Sequence, residues 1–183
     1  MNIGKVTNFE GKNIGVFMRI TDITTTELFY PHGQAVQDST TPLQSRGKSQ
    51  LFVHIHTDAG VEGLGIAQSS PGVREVVENG LKNILIGKDP LAIEKLWEDM
   101  FWGVRGYGRK GIAFLAMSGV DIGLWDLKSK YFGVPLYILL GPYTDEVEIY
   151  GSGGWTNFSE DELVREMTDY VQQGIPRVKM KVG

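Results

Sequence analysis

The stretch RVKMKVG, Arg177 to Gly183, carries two lysines one residue apart in an otherwise apolar run. Side chains alternate along a strand, so Lys179 and Lys181 leave one face while Val178, Met180 and Val182 leave the other. Two ammonium groups in such proximity disfavour each other's charge, and desolvation adds to this. Both effects favour the neutral amine that a general base must be. At the C-terminal end of a parallel barrel strand the inward face is where catalytic residues sit. The competing reading is a strand end whose lysines simply reach solvent.

Other constellations carry less. GYGRKG, Gly106 to Gly111, matches the dinucleotide spacing G-x-G-x-x-G, but a helix precedes it where the motif needs a strand, so it reads as a tight connection between helices. GSGGWT, Gly151 to Thr156, does run from strand to helix. It lacks the third glycine and the lysine of a phosphate loop, and reads as a βα loop. His54 and His56 share one face of a strand, a spacing compatible with metal ligation. The DAG turn that follows leads to an antiparallel partner, which favours a half-exposed hairpin face. Asp121 and Asp126 are five apart on a helix and point in different directions; Asp126 faces Lys130 at i, i+4, so both read as structural carboxylates.

The elements that must position these groups follow from hydrophobic period. RITDITTTELF, residues 19 to 29, is β-branched and predicts a strand broken at Pro31 and Gly33. Residues 31 to 48 are polar and rich in turn formers, which predicts a long loop serving as a substrate lid. SQLFVHIHT and VEGLGIAQ around DAG predict a hairpin. Val73, Val76, Val77, Leu81, Ile84 and Leu85 form the stripe of a helix ending at Gly87. A second helix follows, with Asp89 as its cap and Pro90 at its first position. A third, apolar over most of its circumference, ends at Gly133 and Pro135. EVEIYGSGG, SEDELVREMTDYVQQG and PRVKMKVG then predict strand, helix with a Ser159 cap, and strand, one βαβ unit. The fold class expected is α+β: an antiparallel sheet plus helical capping domain at 19–143, the first βαβ of a truncated TIM-like barrel at 144–183, and an N-terminal extension at 1–18.

Of 183 residues, 42% are hydrophobic and 22% charged, the composition of a folded globular chain. The net charge of −4 and dispersed basic residues argue against nucleic acid as a partner. The absence of cysteine removes disulfides and thiolate chemistry. The first residues lack the apolar core of a signal peptide, and no apolar run reaches spanning length, so no membrane partner and a cytoplasmic location are expected.

Taken together, the order hairpin, lid, three helices, βαβ and K-x-K resembles the enolase superfamily, in its mandelate racemase and muconate lactonizing branch. VEGLGIA, GKDP, SGVDIGLWDLKSKYFGVPLYILLGP, YGSGG and VKMKVG carry the likeness, which spans nearly all of residues 19 to 183. The resemblance implies an α+β cap whose lid covers a modified barrel, and removal of a proton α to a carboxylate with the enediolate held by Mg²⁺. It implies Lys181 as the base, with Lys179 tuning it and facing the substrate carboxylate. Ser152 would bind the same carboxylate, and His32, Arg46 and Gln68 would read the rest of the substrate. Acid-sugar dehydration is the first expectation, racemase or epimerase chemistry the next.

A complete barrel needs about 250 residues, and the family's metal ligands lie on later strands. Mg²⁺ is therefore expected in the full-length enzyme and not on this chain, which alone is expected to be inactive. Its expected partners are a small-molecule sugar acid and either copies of itself or a missing barrel half. The alternative is a non-catalytic interaction module that keeps the cap fold.

Overall fold

The computed structural model describes residues 18–182, and within them the side chains of 41–46 are not described. The elements in order are β1 (Ile20–Asp38), β2 (Thr41–Thr57), β3 (Gly63–Gln68), α1 (Val73–Glu75), a π-helical segment (Val76–Leu81), α2 (Lys82–Leu85), α3 (Ile93–Gly103), a 3₁₀ turn (Val104–Tyr107), α4 (Ile112–Phe132), α5 (Leu136–Leu139), β4 (Gly151–Ser152), α6 (Glu160–Gln172) and β5 (Val178–Lys179). The described residues form two compact units: residues 18–28 with 50–140, and residues 29–49 with 141–182.

The first unit is built on the order β1-β2-β3. β2 and β3 pair antiparallel, from Gln50 opposite Gln68 to Ile55 opposite Gly63. Leu51, Val53 and Ile55 are buried, as the alternation predicts, and join Ile20, Ile23 and Ala67 against Val77, Leu81, Leu96, Met100, Met117, Val120 and Leu124. Met18 belongs to the same core at 1% exposure. β3 lies directly on α4. A Cβ at Gly65 would overlap the Gly119 carbonyl, one at Gly63 the Gly123 carbonyl, and one at Gly119 would stand 2.8 Å from the Ala67 Cβ. Four glycines thus bring strand and helix backbones together, and the buried alternation Gly63, Gly65, Ala67 is what remains of a strand's inner face there.

Four local expectations need correction, the last of them in the second unit below. The first helix is not regular: Val76–Leu81 is π-helical. Asn79 and Gly80 are poor helix formers, and the missing side chain of Gly80 leaves room for the Tyr107 ring. Asp89 does not cap the second helix, nor does Pro90 begin it. Leu91 N–H donates to Asp89 Oδ1 (2.9 Å) and Ala92 N–H to Asp89 O (3.3 Å), a β-turn with Pro at its second position, and α3 starts only at Ile93. The third correction concerns residues 31 to 48, which are not a structureless loop. β1 runs on to Asp38, turns at Ser39–Thr40, and β2 begins at Thr41. A two-residue connection between bonded neighbours makes that pair antiparallel. Pro31 lies within β1, an edge strand, the position in a sheet where proline is tolerated.

The third helix meets its expectation: α4 ends with Gly133 at φ 67°, and Ser129 donates its hydroxyl to Val134 O.

In the second unit, β4 and β5 pair in parallel, Gly151 with Val178 and Ser152 with Lys179, around α6. Ser159 caps α6 through a capping box with Glu162. The expected strand EVEIY is not one: only Gly151 and Ser152 pair, and Val147 and Ile149 are exposed. Without a ladder partner, an alternating apolar run has no reason to adopt strand geometry.

Candidate active site

β5 reaches past its assigned end through two further bonds. Gly153 N–H donates to Lys179 O (3.0 Å) and Lys181 N–H to Gly154 O (2.8 Å). In a regular parallel ladder the second bond would go to Gly153 O, so the β4 chain holds one extra residue here, and Gly154 supplies it at φ 62°. This fixes the Lys181 backbone beside the loop that opens α6.

The hairpin tip of the same unit is tied to that loop by side-chain bonds. Thr156 N and Oγ1 both donate to Gln37 O (3.0 Å each), Gln37 N donates to Asn157 Oδ1 (2.8 Å), and Asn157 Nδ2 donates to Ala35 O (2.9 Å). The result brings Asp38 to Lys181, with Nζ 3.4 Å from Oδ2. The Asp38 side chain is 15% exposed and that of Lys181 27%. Lys181 Nζ also stands 5.4 Å from the Trp155 ring, and the Trp155 ring is 6.5 Å from that of His32. Among the described residues, His32 Nε2 is buried without a hydrogen-bond partner. A cleft of about 370 Å³ is lined by His32, Gly33, Gln34 and Ala35.

Lys179 has different neighbours. It is exposed, with Nζ 5.8 Å from the Tyr150 ring. Ser152 sits opposite it in the ladder, its side chain exposed and its carbonyl accepting from Tyr170 OH (3.2 Å). Burial, with the Glu166 charge behind it, raises the Tyr170 hydroxyl above its ordinary range and keeps it a donor. Glu166 accepts from Gly154 N–H (2.6 Å).

The structure therefore brings His32 and Lys181 together through Trp155, and Ser152 beside Lys179. Gln68 closes β3 in the first unit, exposed opposite Gln50. The Arg46 side chain lies outside the described residues. Asp38, Trp155, Thr156 and Asn157 escaped the sequence reading; the Asp-Ser-Thr run at the tip is a turn signal that could have marked Asp38. Thr40 N and Oγ1 do donate to Asp38 Oδ1 (2.9 and 2.7 Å).

The histidine pair occupies the outer face of β2, as the alternation required. The rings of His54 and His56 stack at 6.3 Å, and their Nδ1 atoms lie 2.7 and 3.3 Å from the two oxygens of Glu62. The hydrogen bond from His54, then the nearby His56, His54 and Lys130 charges, hold the Glu62 carboxyl below its usual range. Asp126 accepts Leu64 N–H (2.7 Å) and pairs with Lys130 (2.7 Å), a structural role. Among the described residues no group of three or more His, Cys, Asp or Glu could hold a metal ion. The carboxylates nearest Lys181 are engaged by lysine, threonine and backbone, so these residues do not fit a Mg²⁺ site. No described helix is long and apolar enough to cross a membrane.

Residues 24–141 match the profile of the mandelate racemase/muconate lactonizing enzyme N-terminal domain. The chain is 34% identical to L-talarate/galactarate dehydratase of Salmonella typhimurium over 137 residues, covering 73% of this chain and 34% of that enzyme. It is 33% identical to arabinonate dehydratase of Saccharolobus solfataricus over 174 residues, 90% of this chain and 46% of the relative. A mandelate racemase/muconate lactonizing enzyme-like protein of Rubrobacter xylanophilus superposes with a TM-score of 0.84 at 34% identity, over 90% of this chain and 45% of its own. The Salmonella enzyme, liganded with Mg and L-lyxarohydroxamate, gives 0.82 at 29% identity, over 98% and 47%. The chain thus spans between a third and a half of the length of these two curated relatives. The family profile covers more than half of the chain, and the chain belongs to the mandelate racemase/muconate lactonizing enzyme family.

Proposed function

We propose that the chain is the cap and opening βαβ of an enzyme that removes the α-proton of a sugar-acid carboxylate, with dehydration as the outcome. Lys181 is the base and Lys179 and Ser152 face the substrate carboxylate, while His32 and the hairpin tip read its hydroxyl groups. The observation that carries this reading is the placement of Lys181. It is two-thirds or more covered, its backbone is pinned to Gly154, and its Nζ is bracketed by Asp38 and by Trp155, whose other neighbour is His32. A solvated strand-end lysine would have none of these neighbours.

The relatives' names support the substrate class: both curated enzymes above are dehydratases of sugar acids. Mg²⁺ belongs to the full-length enzyme, where it supplies charge stabilisation for the enediolate. What the described residues supply is the base and its orientation. The 183-residue chain alone is then inactive.

The test is exchange of the substrate α-proton in D₂O, followed by ¹H NMR with galactarate. The chain is assayed alone and reconstituted with the C-terminal half of the Salmonella dehydratase. Exchange only after reconstitution, abolished by Lys181→Ala, is the expected result. Exchange by the chain alone, or exchange that survives Lys181→Ala, refutes it.

A second reading, that the βαβ unit is an association surface, is favoured by one observation. Val147, Ile149, Val178, Met180 and Val182 are all between 42% and 84% exposed around a two-stranded sheet. Sedimentation of the pure chain distinguishes a monomer from self-association.

A further inference from the structure

Resting on the assignment of Lys181 as the base, we propose that Asp38 is a positioning residue for it: the hairpin tip delivers a fixed carboxylate that stabilises the ammonium formed as Lys181 takes the α-proton. In that step the substrate C–H bond breaks, an N–H bond forms at Nζ, and the electron pair stays on the substrate as the enediolate. Positive charge therefore develops on Nζ in the transition state, and a carboxylate already aimed at it needs no reorganisation.

Three features give Asp38 this role. Its Oδ1 accepts from Thr40 N and Oγ1, and its Oδ2 stands 3.4 Å from Lys181 Nζ. The preceding Gln37 is held at both its N–H and its carbonyl by Asn157 and Thr156, so the tip cannot swing without breaking four hydrogen bonds. Asp38 is also the more buried partner, at 15% against 27%, which weakens screening of the pair by water. The other groups around Lys181 are Lys179 on its own strand, Glu166 of α6, engaged by Gly154 N–H, and His32 behind Trp155. None of these offers a second carboxylate oxygen to Nζ in a described ion pair.

The experiment reads the contact and the catalysis separately. In the 183-residue chain, Asp38→Asn keeps an oxygen for Thr40 and removes the charge. Lysine side-chain resonances after ¹³C-methylation are expected to move for Lys181 and to stay for Lys179; an unmoved Lys181 overturns the proposal. In the reconstituted enzyme, Asp38→Asn is expected to lower the plateau of the α-proton exchange rate about tenfold to a hundredfold with KM unchanged. It should also move the acid limb of the pH–rate profile to lower pH, while Asp38→Glu restores part of the plateau. A profile unchanged in Asp38→Asn overturns the proposal, as does the same limb shift in Thr40→Ala, which loosens the turn and keeps the charge. If Lys181→Ala leaves exchange intact, the base assignment itself fails; loss in Lys181→Ala with no effect in Asp38→Asn fails only the positioning role.

Discussion

Substituting Gly65 by alanine tests the packing that supports the whole first unit. The added Cβ would overlap the carbonyl oxygen of Gly119 and stand 2.8 Å from the amide nitrogen of Gly123. Both obstacles are backbone atoms in the middle of α4, so no side chain can rotate away and the strand must move as a body. Relief needs a displacement on the order of 1 Å, since ordinary contact begins near 3.4 Å. That shift opens the seam lined by Val53, Ile55 and Ala67. Overpacking of this kind costs about 3 kcal/mol, at the upper end because the core on both sides is fully buried. For a domain stable by about 5–15 kcal/mol and a urea slope of about 2 kcal/mol/M, the midpoint should fall by about 1.5 M. Urea unfolding followed by far-UV circular dichroism reads it. Gly33→Ala is the matched control, because a Cβ there meets nothing within 4 Å and φ is ordinary; it should be neutral or stabilising by about 0.5 kcal/mol. A Gly65→Ala midpoint within 0.3 M of the control, taken as roughly the scatter of such measurements, would refute the backbone-contact argument.

Three further outcomes follow from individual groups. Ser159→Ala removes the capping box of α6 and should cost about 1 kcal/mol, read as faster amide exchange at Glu160–Glu162; unchanged exchange would mean the cap is dispensable. Asp121 is half-buried, and desolvation, then the Glu94 charge, raises its carboxyl above 3.8. Its ionised form is disfavoured in the folded state, so Asp121→Asn should stabilise at pH 7, with the gain disappearing as pH falls below the unfolded value of 3.8. Equal effects at pH 7 and pH 3 would contradict this. Glu62 has the opposite sign. Its lowered carboxyl contributes stability above the unfolded value of 4.5 that is lost as pH falls through the lower folded value, so Glu62→Gln should destabilise at pH 6, by an amount that shrinks as pH falls below 4.5. The effect is small because the carboxylate is half-exposed.

Periodicity alone determined the inner face of β2, the apolar helix α4 with its glycine stop, and the Ser159-capped helix α6. In each, local pattern and tertiary burial agree. The K-x-K spacing marked Lys179 and Lys181 together as candidates, and the motif string between Ser118 and Pro142 carried the family resemblance. What the linear pattern misjudged were places where a distant backbone decides the conformation. Polar residues 31 to 48 look like a loop, yet apart from the turn at 39–40 they form two strands that are bonded neighbours, and Pro31 is accommodated on an edge strand. Apolar EVEIY looks like a strand, yet it lacks a partner and has no ladder to join.

The site shows the same division. Residue type and spacing mark Lys179 and Lys181 alike as groups with the chemistry of a base. Which counter-charge meets Lys181 depends on residues 38 and 181 being brought within 3.4 Å across 143 positions of chain, and no local propensity carries that information. Only the stitching of the hairpin tip to the 154–157 loop does, since hydrogen bonds between distant segments exist only once the chain has folded.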